Sequence, residues 1–211
     1  MIEGRDLVAK HFPEFNSKQL DLLQAYVDAL LETNKVINLI SRKNEDEVWV
    51  NHILHSLSIV KVVQFLPNQD VLDFGTGGGL PGIPLAIAFP ETNFLLVDSI
   101  GKKVNAVKRM AEQIGLSNVK TQHTRVEDLP MKFDFAASRA VTALPTIDGW
   151  LKGKLKKGKM GDLPNGLIYI KGGDFDHELK KINRPYKIWQ MTDWFESDFF
   201  ETKKVVWLNL A

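Results

Sequence analysis

The sequence predicts an α/β fold with a seven-stranded, mostly parallel sheet and a helical extension at its N-terminus. From Asp70 onwards, short apolar runs alternate with helical patterns, which is typical of a sheet with helices on both faces. Before that point the apolar residues follow helical spacing, and no long linker interrupts the chain. We therefore expect residues 1–66 to form an extension packed on a main domain of residues 67–211.

Two helices are predicted within the extension. The first begins near Ser17, whose hydroxyl can accept from free N–H groups of the first turn, and it ends near Asn34. Its apolar residues at i, i+3 and i+4 lie on one face and are Leu23, Tyr26, Val27, Leu30 and Leu31. The second pattern runs from Glu47 to Phe65 and stops before Pro67.

The main domain contains seven candidate strands and four candidate helices. The strands are residues 71–74, 93–98, 118–122, 133–138, 166–171, 186–191 and 203–208. The helices are residues 81–88, 101–114, 144–155 and 174–181. Because no clear helix separates the last two strands, we expect them to pair antiparallel. Residues 152–166 are rich in Lys and Gly, which predicts a mobile loop.

Composition excludes several classes of protein. The chain has 211 residues and no Cys, which excludes a disulfide scaffold, a thiolate metal site and a cysteine nucleophile. No apolar run approaches the ~18 residues that span a bilayer, and the N-terminus lacks a signal-peptide core. These features predict a soluble cytoplasmic protein.

The net charge is +1, but residues 99–160 carry 13 basic and five acidic side chains, a net +8 that could form a phosphate-binding face.

A glycine-rich turn follows the first strand of the main domain and is the most informative segment. Glycines there allow positive φ and close approach of a ligand. The spacing Gly77-x-Gly79-x-x-Gly82 matches a dinucleotide fingerprint, in which pyrophosphate lies on a helix N-terminus. Asp73 precedes the first glycine, Gly75, and would repel a pyrophosphate but attract the ammonium group of S-adenosylmethionine. This favours S-adenosylmethionine, held by Asp73, Gly75, Gly77 and Gly79; the alternative is a structural turn in which Asp73 caps a neighbouring N–H.

Three later segments supply further candidate site residues. Asp98 ends the second strand, where a carboxylate can bind ribose hydroxyls or, alternatively, cap the next helix. Val126 and Glu127 follow the third strand, where they could pack on and read an adenine or simply form a polar turn. Arg139 ends the fourth strand and could orient a substrate through its planar donors, or form a surface ion pair.

Together these segments resemble the GidB (RsmG) family of bacterial 16S ribosomal RNA guanine-N7 methyltransferases. The resemblance spans most of the chain and is far more specific than a lone glycine fingerprint. Its segments are NLIS (38–41), NHILHSL (51–57), DFGTGGGLPGIP (73–84), VDSIGKK (97–103), RVE (125–127), SRA (138–140) and IKG (170–172). It implies a class I S-adenosylmethionine-dependent methyltransferase fold, Rossmann-like, with an N-terminal helical cap. It also implies a guanine of the small-subunit decoding region as acceptor.

The resemblance also implies roles for individual residues. Gly75 and Leu80 would line the methionine and ribose side of S-adenosylmethionine, and Asp98 would hold the ribose. Val126 and Glu127 would contact the adenosine. Arg139 would face the cofactor or the substrate, and Lys171 would lie near the acceptor pocket. Family members often have Arg and Asp at the positions of Asn51 and His55, so no role is transferred to these two residues.

Guanine N7 has a lone pair and no proton to lose, so methyl transfer to it requires orientation and desolvation more than a general base. Accordingly, the sequence offers no Ser/His/Asp group, and His52 and His55 lack a third metal ligand, so we expect no metal. We expect the 16S rRNA of the 30S subunit as partner and a monomeric protein. Candidate phosphate contacts are Arg42, Lys43, Lys102, Lys103, Lys108, Arg109, Lys152, Lys154, Lys156, Lys157 and Lys159.

Overall fold

The structure, a computed structural model, describes residues 4–42, 45–139, 141–159 and 161–210. Seven strands form its sheet. They are β1 (Asp70–Phe74), β2 (Asn93–Asp98), β3 (Val119–His123), β4 (Phe135–Arg139), β5 (Gly166–Gly172), β6 (Tyr186–Gln190) and β7 (Lys203–Leu208). All seven predicted strands are present, and the predicted bounds of β2 and β7 are identical to the observed ones.

The strand order in the sheet is β3-β2-β1-β4-β5-β7-β6. The first five strands in this order are parallel, whereas β7 pairs antiparallel with both β5 and β6. The predicted antiparallel pairing of the last two strands is thus confirmed. Strand β1 lies between β2 and β4, and the chain crosses from β3 at one edge of the sheet to β4 on the other side of β1. The carboxyl ends of β1 and β4 therefore form a topological switch point, where α/β sheets bind ligands.

Helices cover both faces of the sheet. They are α1 (Arg5–His11), α2 (Ser17–Asn34), α3 (His55–Leu57), α4 (Gly82–Ala88), α5 (Gly101–Gln113), α6 (Leu144–Trp150) and α7 (Asp176–Leu179). Neighbouring residues of the central strands enter opposite cores, as Val71 and Leu72 of β1 do. The core on one side contains α4, α5 and the N-terminal helices; the core on the other contains α6 and α7.

The N-terminal extension departs from the sequence prediction in three places. Helix α1 was not predicted, and Asn16 rather than Ser17 caps α2, because the Asn16 side chain accepts from Gln19 N–H while the Gln19 side chain accepts from Asn16 N–H. The predicted second helix is composite. It begins as a π-helix (Trp49–Leu54), continues through α3 and ends as a 3₁₀ turn (Ser58–Lys61).

No helix within the described ranges has the length and apolarity needed to span a membrane.

The described part of the lysine-rich segment 152–166 contacts the core through two apolar side chains. Leu155 and Leu163 are buried in the core, and Leu155 bridges to Phe133 beside the sheet. Helix α6 therefore ends at Trp150 rather than near Leu155, because the chain must turn back to reach β4. Apolar side chains between the lysines anchor this segment.

Candidate active site

The turn between β1 and α4 requires glycine at two positions for steric reasons. Gly75 has φ of 65°, and a Cβ atom there would lie 2.7 Å from Cγ2 of Val141. Gly79 has φ of 95°, and a Cβ atom would lie 2.6 Å from Cγ1 of Ile83. A side chain at either position would force the turn to move. The tight turn predicted from the sequence is thus present.

Asp73 lies buried beneath this turn. Its Oδ2 accepts from the Thr76 hydroxyl at 2.6 Å and from Gly82 N–H at 2.9 Å. Its Oδ1 has no partner among the described residues. Burial raises the pKa of Asp73 to about 7, although the bonds from Thr76 and Gly82 and the charge of Arg139 oppose the rise. The carboxylate therefore caps the first N–H of α4, which is the structural alternative considered above; its contact with a cofactor stays a prediction.

Asp98 connects the glycine turn to the next strand. Its Oδ2 accepts from Gly77 N–H at 3.0 Å and its Oδ1 from Ile100 N–H at 2.9 Å. Ile100 is the N-cap residue of α5, so Asp98 also caps the start of that helix, which is the structural alternative considered above. Because each carboxylate oxygen has two lone pairs, both oxygens of Asp98 can accept a further hydrogen bond.

A cleft at the carboxyl ends of β1 and β2 brings several predicted site residues together. Gly75 and Asp98 lie on one side of it, and Val126 and Glu127 lie in the 3₁₀ turn Val126–Asp128 on another. Its other lining residues are Phe74, Val97, Ser99, Thr124, Arg125, Val141 and Trp150. The cleft combines an apolar wall with a carboxylate, as expected for a nucleoside site.

Other predicted site residues are not among those that line this cleft. Asp73 is buried below it, and Leu80 is buried in the core. Gly77 reaches the cleft only through its N–H bond to Asp98. Arg139 and Lys171 also lie outside the lining set. The cleft thus gathers Gly75, Asp98, Val126 and Glu127, whereas the predicted acceptor residues Arg139 and Lys171 do not line it.

Arg139 is held by the N-terminal extension. Its Nη1 donates to the backbone carbonyl of Asn51 at 3.1 Å and lies 2.9 Å from Nδ1 of His52. The surface ion pair considered as an alternative is wrong, since Arg139 is partly buried and forms no ion pair with a described residue. Ala140, the last residue of the SRA segment, lies outside the described residues.

Lys171 forms a nearly buried ion pair with Glu178 of α7. Its Nζ lies 2.8 Å from Oε1 of Glu178, and Oε2 of Glu178 accepts from Leu144 N–H at 2.7 Å. Burial opposes ionisation of Glu178, but the bonds from Lys171 and Leu144 outweigh it and lower its pKa. The charge of Lys171 is therefore largely compensated.

The candidate phosphate contacts divide into two groups. Lys154 donates to the carbonyl oxygens of Glu127 and Leu129, and Lys156 bonds to Asp70 and Asp134 at 2.8 and 3.0 Å. These two lysines are therefore structural, which corrects their assignment as phosphate contacts. The exposed members are Arg42, Lys102, Lys108, Arg109, Lys152, Lys157 and Lys159, with Lys103 partly buried; Lys43 lies outside the described residues.

Sequence reasoning missed two residues that shape the site. Trp150 is the one tryptophan among the residues that line the cleft, but its sequence position shows only that it belongs to a helix. Tyr26 was assigned to an apolar helix face, whereas its hydroxyl donates to Gly78 O at 2.8 Å. Local sequence patterns could not predict either role, because both depend on residues that are distant in the sequence. No three His, Asp or Glu side chains cluster as metal ligands within the described ranges.

Relatives resemble the chain over nearly its whole length. A protein named "Ribosomal RNA small subunit methyltransferase G" from Christiangramia forsetii is 48% identical over 205 residues, which cover 97% of this chain and 97% of that protein. A protein of the same name from Bacteroides thetaiotaomicron is 45% identical over 205 residues, which cover 97% and 100%.

The fold is shared with solved methyltransferases. The crystal structure of a SAM-dependent methyltransferase from Aquifex aeolicus is 15% identical, with a TM-score of 0.57, over 79% of this chain and 95% of that chain. The predicted class I, Rossmann-like fold is thus confirmed. The family described as "rRNA small subunit methyltransferase G" matches residues 19–203. The family model covers most of the chain, and relatives with the family's name are 45–48% identical to it. The chain therefore belongs to the GidB family.

Proposed function

We propose that this protein transfers a methyl group from S-adenosylmethionine to N7 of a guanine in the 16S rRNA of the small ribosomal subunit. The names of the relatives support small-subunit rRNA as the substrate. The name of the structural neighbour from Aquifex aeolicus supports S-adenosylmethionine as the donor.

The bond from Gly82 N–H to Asp73 is the single observation that favours this cofactor over a dinucleotide. A pyrophosphate would need free N–H groups at the N-terminus of α4. The first of these is already bonded to Oδ2 of the buried Asp73 and is therefore not available to a phosphate. S-adenosylmethionine has a sulfonium and an ammonium but no phosphate, so the same carboxylate is compatible with it.

The cleft offers groups suited to each part of the adenosine. Asp98 keeps lone pairs for the ribose hydroxyls, and the buried side chain of Val126 supplies an apolar contact for the adenine. We propose that the Glu127 N–H reads the edge of the base. S-adenosylmethionine, when bound, supplies the methyl group and the sulfonium leaving group. The glycine turn would hold its methionine part against Gly75 and Leu80.

At the acceptor end, the chain needs to orient a base rather than remove a proton. Arg139 has donors for this purpose. We place Lys171 in the acceptor region as well, where its ion pair with Glu178 compensates its charge. We therefore propose Arg139 and Lys171 as the residues that position the acceptor.

The exposed basic residues would contact rRNA phosphates on the 30S particle. With a net charge of only +1, the protein needs an assembled ribonucleoprotein surface more than free RNA. We propose that it acts as a monomer in the cytoplasm and methylates 30S particles in preference to naked 16S rRNA. Parallel assays on the two substrates, with the protein mass in solution measured by light scattering, test these points.

The decisive experiment uses methyl-labelled S-adenosylmethionine and 30S subunits that lack the modification. After incubation, the RNA is cleaved chemically at 7-methylguanine and the label is located. One new cleavage site that carries the label is the expected result. Label at another atom of the RNA would overturn the N7 assignment, and no label in RNA would overturn the ribosomal substrate. Thermal stabilisation by S-adenosylhomocysteine but not by NAD separately tests the cofactor.

A further inference from the structure

The contact between Arg139 and the N-terminal extension joins two parts of the chain 87 residues apart. Both acceptors for Arg139 come from the π-helix, namely the Asn51 carbonyl at 3.1 Å and Nδ1 of His52 at 2.9 Å. π-Helical turns are rare and are frequent at functional sites. Arg139 itself is the last residue of β4, next to the glycine turn across the sheet.

The hydrogen bond from Arg139 determines which ring nitrogen of His52 carries the proton. A guanidinium has only donors, so Nδ1 of His52 must be an unprotonated acceptor and Nε2 must carry the proton. Burial and the adjacent Arg139 charge lower the pKa of His52 to about 3. The ring is therefore neutral at physiological pH. A neutral acceptor can orient Arg139 without neutralising its charge.

The orientation of Arg139 leaves one edge of its guanidinium free. Both of its hydrogen bonds involve Nη1. The Nε and Nη2 hydrogens have no acceptor among the residues that the structure describes. Because the guanidinium is planar and rigid, fixing Nη1 also fixes the direction of the Nε–Nη2 edge. This edge presents the paired donors that match a carbonyl or another two-lone-pair acceptor.

We propose that His52 is a positioning residue that holds Arg139 with its Nε–Nη2 edge directed at the acceptor base. The proposal deepens the proposed function and rests on it. His52 is itself 7% exposed, and its Nε2 has no partner among the described residues. Buried polar atoms are rarely left unpaired without a functional reason. The bond to Arg139 supplies a reason for burying this ring.

Replacement by two amides of different length separates positioning from packing. In His52→Asn the amide oxygen takes the place of Nδ1, whereas in His52→Gln it takes the place of Nε2. We expect H52A and H52Q to lower kcat for 30S methylation by about 10- to 100-fold, since small misplacements of an orienting group are costly. We expect H52N to recover most of the activity. The Kd for S-adenosylhomocysteine should stay within about twofold of the wild type in all three variants.

A double-mutant cycle tests whether His52 acts through Arg139. If it does, H52A combined with Arg139→Ala has the same kcat as Arg139→Ala alone. His11→Asn is the matched control, because His11 also lies in the extension but packs on Phe195 rather than on Arg139. Its kcat should equal that of the wild type. Melting temperatures of all variants show whether any loss reflects unfolding.

Three kinetic outcomes overturn the positioning role. They are wild-type kcat in H52A and H52Q, an H52N variant as slow as H52A, and additive losses in the double mutant. A loss that tracks the fall in melting temperature across the three variants also overturns the role. A wild-type protein that methylates no RNA would instead overturn the proposed function, so the two failures are distinguishable.

Discussion

The hydroxyl of Tyr26 in α2 donates to the backbone carbonyl oxygen of Gly78 in the glycine turn, 2.8 Å away. The tyrosine is fully buried, and the turn lies 52 residues further along the chain. A helix of the N-terminal extension therefore holds the turn that we propose binds the cofactor. The extension is thus connected to the proposed site at two points, this bond and the bond from Arg139 to His52.

Removal of that hydroxyl should weaken both folding and cofactor binding. Tyr26→Phe leaves the Gly78 carbonyl without this donor, so we expect the free energy of unfolding to fall by about 1–3 kcal/mol. We also expect a higher Kd for S-adenosylhomocysteine, because the turn loses a support. Urea unfolding and calorimetric titration measure the two effects. Tyr186→Phe is the control, since Tyr186 is 48% exposed. Equal unfolding curves for Y26F and the wild type would contradict the role of this bond.

The carboxylate of Asp98 should be necessary for cofactor binding. In Asp98→Asn, one oxygen becomes an NH₂ group, which cannot accept from Gly77 or Ile100 and faces a backbone donor instead. We expect the Kd for S-adenosylhomocysteine to rise more than about tenfold, equivalent to about 1.4 kcal/mol. Asp128→Asn is the control, because Asp128 is exposed and in the same 3₁₀ turn as Val126 and Glu127. A D98N protein that binds with wild-type affinity would remove Asp98 from the site.

The titration of Asp73 should make the free energy of unfolding depend on pH. Its pKa is about 7 in the folded protein, against 3.8 for an aspartate side chain free in water, so between these values the folded state holds a proton that the unfolded state releases. The stabilisation from this proton is complete below about pH 4 and is lost as pH rises through about 7. The free energy of unfolding of the wild type relative to Asp73→Asn should therefore fall across this window and then level off. Urea unfolding at several pH values measures the difference. Parallel curves for the two proteins would show that Asp73 is ionised throughout.

The exposed lysines of segment 152–166 should carry the salt dependence of RNA binding. The double variant Lys157→Glu, Lys159→Glu should reduce the slope of log K against log salt by roughly 0.7 to 0.9 for each lost phosphate contact. Lys180→Glu with Lys181→Glu is the matched control, because it changes the net charge equally on another exposed surface. Filter binding to 30S subunits at several salt concentrations gives both slopes. Equal slopes for the two double variants would place the RNA elsewhere.

Local sequence patterns were sufficient for most of the sheet. Strands β2 and β7 are apolar runs bounded by turns, and their ends were predicted correctly. The second predicted helix was only partly right, because apolar spacing near 3.6 residues does not distinguish an α-helix from the π-helix at Trp49–Leu54. Helix α1 has seven residues and a glycine N-cap without a side-chain bond, so it gives little signal.

The candidate site was predictable where its residues follow strand ends. Asp98 ends β2 and Val126 follows shortly after the end of β3, and parallel topology brings such positions together. The partners of Arg139 and Lys171 could not be predicted in this way. His52 and Glu178 reach them through tertiary packing of separate helical segments, which no local spacing records.

The apolar core on the α4–α5 side is built jointly by both predicted segments of the chain. Leu30 and Ile53 from the extension pack there with Ile83 and Leu96 from the sheet domain. Separating the segments would expose this surface to water at a cost of about 25 cal/mol for each Å². Residues 67–211 alone should therefore not form a stable folding unit, and the whole chain should unfold in a single cooperative transition. The extension and the main domain suggested by the sequence are therefore expected to behave as a single cooperative folding unit.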